Sequence, residues 1–271
     1  MGNMSAALRG ILFDLDGVLY NSNQVIEGAS QAVEWVQASD IPYLFVTNTT
    51  SRSRKAIVEK LVRFGFASAT EERILTPAVA AAEWLRERQA PQVGLFVRPG
   101  ARIEFGGLAC LPDDAEKGAD YVVIGDLGEQ WDYRTLNRAF RLLHANPAAE
   151  LIALGMTRYW KTDDGISLDV APFVAALECA AGRKALVLGK PAEQFFQSAV
   201  KRLGLSAGEV LMVGDDIETD IGGAQRAGLK GVLVRTGKFR PSDLDGSVRP
   251  DAVIDSVVDL PLYWRTGRSQ F

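Results

Sequence analysis

Histidine occurs once in this 271-residue chain and cysteine only twice. Cys110 and Cys179 are too few for a disulfide framework and have no CxxC spacing, which excludes a cysteine-based zinc site or a dithiol redox centre. A reducing, cytoplasmic location is expected. The lone His144 cannot build a histidine metal site, so it reads as helix surface or packing. An excess of positive charge is also missing. Lys and Arg number 30 against 34 Asp and Glu, a net charge of −4, so nucleic acid is not an expected partner. No apolar run reaches the ~20 residues of a membrane span, and the first ten residues lack the apolar stretch of a leader. Ala6 stands where a myristoylation pattern needs Ser or Thr, so no membrane partner is expected.

What is present is an ordinary globular composition, 47% apolar and 24% charged, enough for one large or two modest domains. Short β-branched and apolar runs alternate with stretches of helical period, the pattern of a parallel sheet with crossover helices. Ile11-Leu12-Phe13 reads as the first strand. A helix with Ala29, Ala32, Val33 and Val36 on one face follows, then the strand Tyr43-Leu44-Phe45-Val46 and a helix carrying Ile57, Val58, Leu61 and Val62. After a short strand at Ile74-Leu75, a long middle section has its own strands near 95–97, 121–124 and 151–154, a helix near 133–144, and another with Pro172 in its first turn. The first pattern is expected to resume with Leu186-Val187-Leu188, a helix over 191–203 closed by Gly204, and strands at 210–213 and 231–234. The expected fold is thus α/β, a Rossmann-like parallel-sheet core made of 1–78 and 186–271, interrupted by an inserted α/β domain over 79–185.

In an open parallel sheet, ligands bind beyond the carboxyl ends of the strands. Four such ends carry chemistry: Asp14-Leu15-Asp16-Gly17, Thr47-Asn48-Thr49-Thr50, Gly189-Lys190-Pro191, and Gly214-Asp215-Asp216 with Asp220 beyond. Turns favour Asp and Gly, so each fragment alone is weak; their convergence on one edge is the signal. Asp14, Asp16 and Asp215 crowd negative charge, and each pair ~4 Å apart costs roughly 4 kcal/mol at an effective dielectric near 20. A cation is therefore expected, and oxygen-only ligands point to Mg²⁺. Thr47, Asn48 and Lys190 supply a hydroxyl, amides and an ammonium suited to phosphoryl oxygens. Asp14 is placed to attack phosphorus and Asp16 to protonate the leaving oxygen. Enzymes supply up to ~10²¹-fold on phosphate monoesters, far beyond one general acid, so Lys190 is predicted to be essential.

In this order along the chain, with the longer forms Asp14-Leu15-Asp16-Gly17-Val18-Leu19-Tyr20 and 214–224, these motifs make the chain resemble the haloacid dehalogenase superfamily, specifically its phosphatases with a C2-type cap. The resemblance implies that Asp14 is the nucleophile and a Mg²⁺ ligand, that Asp16 is the acid/base and binds metal through its backbone carbonyl, and that Asp215 is the third ligand. It implies that Thr47 and Asn48 bind the phosphoryl group of a small phosphorylated substrate, that Lys190 bridges that group to Asp14, and that Asp220 orients metal-bound water. For Asp216 a site role and a solvated turn carboxylate both stay open. Dehalogenases lack the second aspartate of the first motif, so Asp16 speaks against dehalogenation. The inserted domain would be the cap, with Arg158, Lys161, Asp163, Asp164 and Asp169 near its expected specificity loop, and a homodimer through the cap is implied. A phosphotransferase or mutase with the same site, or a non-catalytic phospho-ligand-binding module, remains as an alternative. A receiver domain is disfavoured by the length, the DxD spacing and the insertion.

Overall fold

The computed structural model describes residues 7–162 and 165–267. The pattern considered at Gly2–Ala6 and the expectations for Asp163 and Asp164 lie outside them. The chain divides into two compact units. One is formed by residues up to Thr47, Arg54–Leu75 and the chain from Lys190 onward; the other by Asn48–Ser53 and Thr76–Gly189.

The first unit is built on a six-stranded, wholly parallel sheet. Its spatial order is Ala252–Ile254, Lys230–Val234, Val210–Gly214, Gly10–Asp14, Tyr43–Val46 and Ile74–Leu75. Gly10–Asp14 and Val210–Gly214 are buried at every position, the continuous apolar signature of strands covered on both faces. Ile11, Phe13, Phe45, Leu211 and Val213 point into one core, where Phe13 meets Tyr43 edge-on at 6.0 Å between ring centroids. Truncating Phe13 to alanine would cost about 3–5 kcal/mol by leaving a cavity in that cluster. The helix Ala29–Ala38 buries the four residues expected from its period. The helix Arg54–Arg63 buries Ile57 and Leu61, while Val62 is exposed.

The chain leaves the central strand Gly10–Asp14 toward Tyr43–Val46 and later returns on its other side with Val210–Gly214. The strand order reverses there, and the crevice that such a reversal opens lies beyond the carboxyl ends of those two strands.

The second unit carries a four-stranded parallel sheet in the order Leu186–Val187, Glu150–Ala153, Tyr121–Ile124, Val93–Phe96. Its two faces bury separate cores, with Leu95 and Val97 in one and Phe96 in the other. The helix Tyr133–Ala145 is capped by Asp132, whose Oδ1 accepts from the Thr135 amide at 2.7 Å. The helix Val170–Ala181 begins after Asp169, with Pro172 in its first turn. Exposed His144 leans on Phe140, and Trp131 stacks between Phe96 and Phe173.

The expected domain division needs correction. Leu186–Val187 does not resume the first sheet: Leu186 pairs with Ile152 and Val187 with Ala153, and Leu188 is buried in a core of the second unit. The boundary therefore falls between Gly189 and Lys190, not before residue 186, and at the other end Asn48–Ser53 and the chain from Thr76, expected in the core up to residue 78, belong to the second unit. A short apolar run carries no record of which sheet it will join, and only the Gly-Lys-Pro turn marks the crossing. The strand Ala252–Ile254 and the hairpins Tyr20–Asn21/Gln24–Val25 and Tyr159–Thr162/Gly165–Leu168 were not expected; strands of two to four residues have too little alternation to read. Among the described residues no helix is long and apolar enough to cross a membrane.

Candidate active site

The strand reversal places Asp14 at the last position of Gly10–Asp14 and Asp215 just past Val210–Gly214. Asp216 then caps a π-helical segment, Ile217–Gly222, with its Oδ1 accepting from the amides of Glu218 and Thr219 at 3.1 and 3.0 Å. That segment turns Asp220 back against Gly214, where a Cβ would sit 2.3 Å from the Asp220 side chain. Oδ2 of Asp220 accepts from the Asp215 and Asp216 amides at 3.2 Å each. Gly223 performs a similar service: a Cβ there would lie 2.9 Å from Cα of Pro191. Its absence lets the segment that follows Lys190 close in.

Lys190 is the hub. Its Nζ donates to Oδ1 of Asp14 at 2.5 Å and to Oδ1 of Asp220 at 2.6 Å. All four charged residues are buried, with exposures of 8% for Asp14, 4% for Lys190, 2% for Asp215 and 1% for Asp220. Asp14, Asp215 and Asp220 each bring an oxygen within 4.8 Å of the others. Three carboxylates thus face one ammonium.

The titration behaviour follows from that imbalance. Burial pushes Asp14 up to about 8, with Asp220 and Asp215 adding to the push and Lys190 opposing it. Burial and then Asp220 push Asp215 up to about 6 against the Lys238 amide. Burial disfavours the Lys190 charge, yet Asp14 and Asp220 outweigh it and hold the ammonium above its usual range. An all-oxygen donor set carrying excess negative charge fits a hard divalent cation such as Mg²⁺, whose charge would restore the carboxylate forms.

Asp215 is further gripped by backbone. A Cβ on Gly17 or on Gly237 would fall 2.2 or 2.1 Å from its Oδ2, and that oxygen accepts from the Lys238 amide at 2.9 Å. Gly17 has φ of 92°, a left-handed conformation that glycine adopts without penalty. The Thr236 hydroxyl donates to the Gly17 carbonyl at 2.5 Å. Lys238 also reaches Oδ2 of Asp216 at 3.1 Å. Burial works against the Asp216 carboxylate, but the Thr219 amide and Lys238 prevail and hold it below the usual range. Asp216 is therefore a helix cap paired to Lys238 rather than a solvated turn carboxylate.

The loop Thr236-Gly237-Lys238 is the part of the site that the sequence reading missed. It follows the strand Lys230–Val234, and the rule of looking just past each strand end, applied to a fifth strand, would have found it.

The other expected residues are placed less uniformly. Asp16 is exposed and stands apart from the carboxylate cluster; its Oδ1 accepts from the Ser22 amide at 3.4 Å. Val46 pairs with Asp14, so Thr47 follows one position beyond, its amide donating to the Leu75 carbonyl at 3.2 Å. Asn48 is counted with the second unit, its Oδ1 3.2 Å from where a Gly189 Cβ would stand. Arg158 is exposed in the second unit, and Asp169 serves as a helix cap there.

With this geometry in hand, known proteins supply a context. The sequence matches the family description haloacid dehalogenase-like hydrolase over residues 11–108 and HAD-hydrolase-like over 187–260. It is 40% identical over 263 residues to the phospholysine phosphohistidine inorganic pyrophosphate phosphatase of Homo sapiens, covering 95% of this chain and 94% of that one. It is 39% identical over 239 residues to haloacid dehalogenase-like hydrolase domain-containing protein 2 of Bos taurus, covering 88% of each. The p-nitrophenyl phosphatase from Archaeoglobus fulgidus has a similar structure, with a TM-score of 0.85 at 28% identity over 94% of this chain and 98% of that one.

Proposed function

The chain belongs to the haloacid dehalogenase-like hydrolase family, and from that premise we propose a Mg²⁺-dependent phosphatase that hydrolyses small phosphorylated metabolites through an aspartyl-phosphate on Asp14. Phosphoric monoester hydrolysis is the reaction class that its relatives' names support. The observation that carries the finer reading is Lys190, a buried ammonium bound to both Asp14 and Asp220 at the strand reversal.

Lys190 occupies one oxygen of Asp14 at 2.5 Å and so presents the other to phosphorus. Asp14 forms the new P–O bond while the bond to the leaving oxygen breaks, and Asp16 gives that oxygen its proton. Its exposed carboxyl, outside the crowded cluster, suits a group that exchanges protons with a substrate. In the second half, water attacks the phosphorus of the aspartyl-phosphate and passes a proton to Asp16. The P–O bond to Asp14 breaks, the carboxylate is regenerated and phosphate leaves. The Lys190 ammonium neutralises charge on the transferring group throughout.

The hydroxyl of Thr47 and the amide of Asn48 are assigned to the phosphoryl oxygens. The Asp14 and Asp215 carboxylates and the Asp16 carbonyl would hold Mg²⁺, which supplies compensating charge and Lewis-acid polarisation when bound. Asp220, engaged by Lys190 and two amides, holds these groups in place. The inserted unit is read as the cap that selects the leaving group.

The test is phosphate release from p-nitrophenyl phosphate and a panel of metabolite monoesters, with Mg²⁺ or with EDTA. A rapid acid quench with phosphorus-labelled substrate accompanies it. Wild-type protein is expected to require Mg²⁺ and to carry label at Asp14; Asp14→Asn carries none. Release that survives in Asp14→Asn would sink the covalent route.

A further inference from the structure

Lys60, on the helix Arg54–Arg63, reaches the hairpin Tyr20–Asn21/Gln24–Val25 that follows Asp16. Its Nζ donates to the Ser22 carbonyl at 2.8 Å and sits 3.8 Å above the Tyr20 ring. Tyr20 packs edge-on against Phe64 at 5.3 Å, one helical turn beyond Lys60. Ser22 is held at a φ of 54°, left-handed for a residue with a side chain. Such a conformation persists only where its surroundings over-determine it, and it collects at functional sites. Both backbone groups of this residue are in use. The carbonyl is taken by Lys60, and the amide donates to Oδ1 of Asp16 at 3.4 Å.

The opposite flank of the same turn is tied as well. Gly17 donates its amide to the Tyr20 carbonyl at 2.7 Å, the Asn21 side chain donates to the Thr236 carbonyl at 2.9 Å, and Thr236 donates to the Gly17 carbonyl at 2.5 Å. The hairpin is therefore pinned from two directions. The Lys60 side runs through Ser22 to the Asp16 carboxylate.

We propose that Lys60 is a positioning residue for Asp16: its ammonium fixes Ser22, and the Ser22 amide in turn orients the carboxyl that delivers the proton. A lysine needed only for solubility would extend into water; this one is spent on a carbonyl and an aromatic face. The inference rests on the acid/base reading of Asp16, and it makes a demand that a merely structural lysine does not. Losing Lys60 should hurt in proportion to how much the leaving group needs a proton.

The experiment compares kcat/KM for p-nitrophenyl phosphate, whose leaving group departs readily unprotonated, with that for a simple alkyl phosphate. The proteins are wild type, Lys60→Met and Lys60→Arg. Since general acids supply ~10²–10⁴-fold, a misdirected one should cost Lys60→Met about tenfold on the alkyl ester and under about twofold on the nitrophenyl ester. Lys60→Arg should recover most of the loss. Hydrogen exchange should quicken in Lys60→Met at residues 20–25 and not in the sheet strands, which also separates local loosening from a folding defect. Equal losses on both esters, no loss on either, or unchanged exchange at 20–25 would overturn the assignment. Asp14→Asn distinguishes the failures. If it stays active the phosphatase mechanism itself falls; if it is dead while Lys60→Met shows no leaving-group bias, only the positioning role falls.

Discussion

Both units are parallel sheets with crossover helices, yet among the described residues the buried carboxylate cluster lies in the first. In the first, the strand order reverses beside Gly10–Asp14; in the second, Val93–Phe96, Tyr121–Ile124, Glu150–Ala153 and Leu186–Val187 succeed one another in a single direction. Reversal opens a crevice at the strand ends, and a monotonic order does not. The charges follow the topology. At the first edge Asp14, Asp215 and Asp220 are buried with Lys190, three carboxylates against one ammonium. At the second edge Asp126 meets Arg98 at 3.2 Å, accepts from the Gly128 amide at 2.7 Å, and its own amide donates to Thr50. There one carboxylate meets one guanidinium and the amide of Gly128. An unbalanced interior is costly and persists where a ligand completes it; a balanced one serves the fold.

Asp14→Asn and Asp126→Asn put that contrast to its hardest test. The first should reduce phosphate release by more than ~10³-fold, since it removes the nucleophile. The second should cost about 1–2 kcal/mol of stability in a urea titration, by losing the ion pair with Arg98 and weakening the hydrogen bond from the Gly128 amide, with turnover intact. Comparable losses of turnover in both would erase the distinction between the two edges.

Lys190→Met and Arg98→Met sharpen it energetically. Removing one partner of a fully buried charge cluster typically costs about 3–5 kcal/mol. Lys190→Met should show that loss in metal-free urea melts, and Mg²⁺ at a hundred times its Kd should return about 2.7 kcal/mol. The Arg98 side chain is 39% exposed, so its pair with Asp126 should matter by no more than ~1 kcal/mol. Metal-free Lys190→Met as stable as wild type would mean that the carboxylates are not forced together.

The same difference explains what the sequence disclosed. Asp14 and Asp215 were legible because both stand at strand ends of one sheet, and the α/β pattern says that such ends converge; Lys190 was legible only as part of the Gly-Lys-Pro turn, since the strand before it joins the other sheet. Leu186–Val187 was assigned to the wrong sheet because two apolar residues pair equally well with either. The grip of Gly17 and Gly237 on Asp215 was illegible because it depends on a loop 220 residues from Gly17 by subtraction of positions, and glycine in a turn has many ordinary reasons to be there. Lys60 escaped for a similar cause. A lysine on an amphipathic helix looks like solvated surface until the hairpin beneath it is seen.

Proton linkage tests the imbalance without a substitution. In the metal-free protein Asp14 is raised from 3.8 to about 8 and Asp215 from 3.8 to about 6. Folded protein therefore holds protons that unfolded chain has released, and the slope of unfolding free energy against pH is negative. Stability is full below pH 4 as far as these two groups are concerned, and is lost as pH climbs through 6 and then 8. Asp215→Asn should flatten the lower part of that decline, and saturating Mg²⁺ should suppress most of it. A metal-free stability that rises across this window would contradict the buried excess of negative charge.

The smallest effect comes from two aspartates of the same kind. Asp216 caps the segment Ile217–Gly222 in the first unit, and Asp132 caps the helix Tyr133–Ala145 in the second. Asp216→Ala should cost about 1 kcal/mol, the ordinary value of a lost cap, and Asp132→Ala should also register as a lowered melting temperature. The consequences diverge beyond stability. The segment under Asp216 carries Asp220, which holds Lys190 at 2.6 Å, whereas the helix under Asp132 carries no residue of the carboxylate cluster. Asp216→Ala should therefore lower kcat on every ester alike, because it disturbs the ammonium rather than the acid, while Asp132→Ala leaves kcat unchanged. A cap that costs stability without touching turnover in both units would show that the π-helical segment tolerates loosening, and that Lys190 is positioned by Asp14 alone.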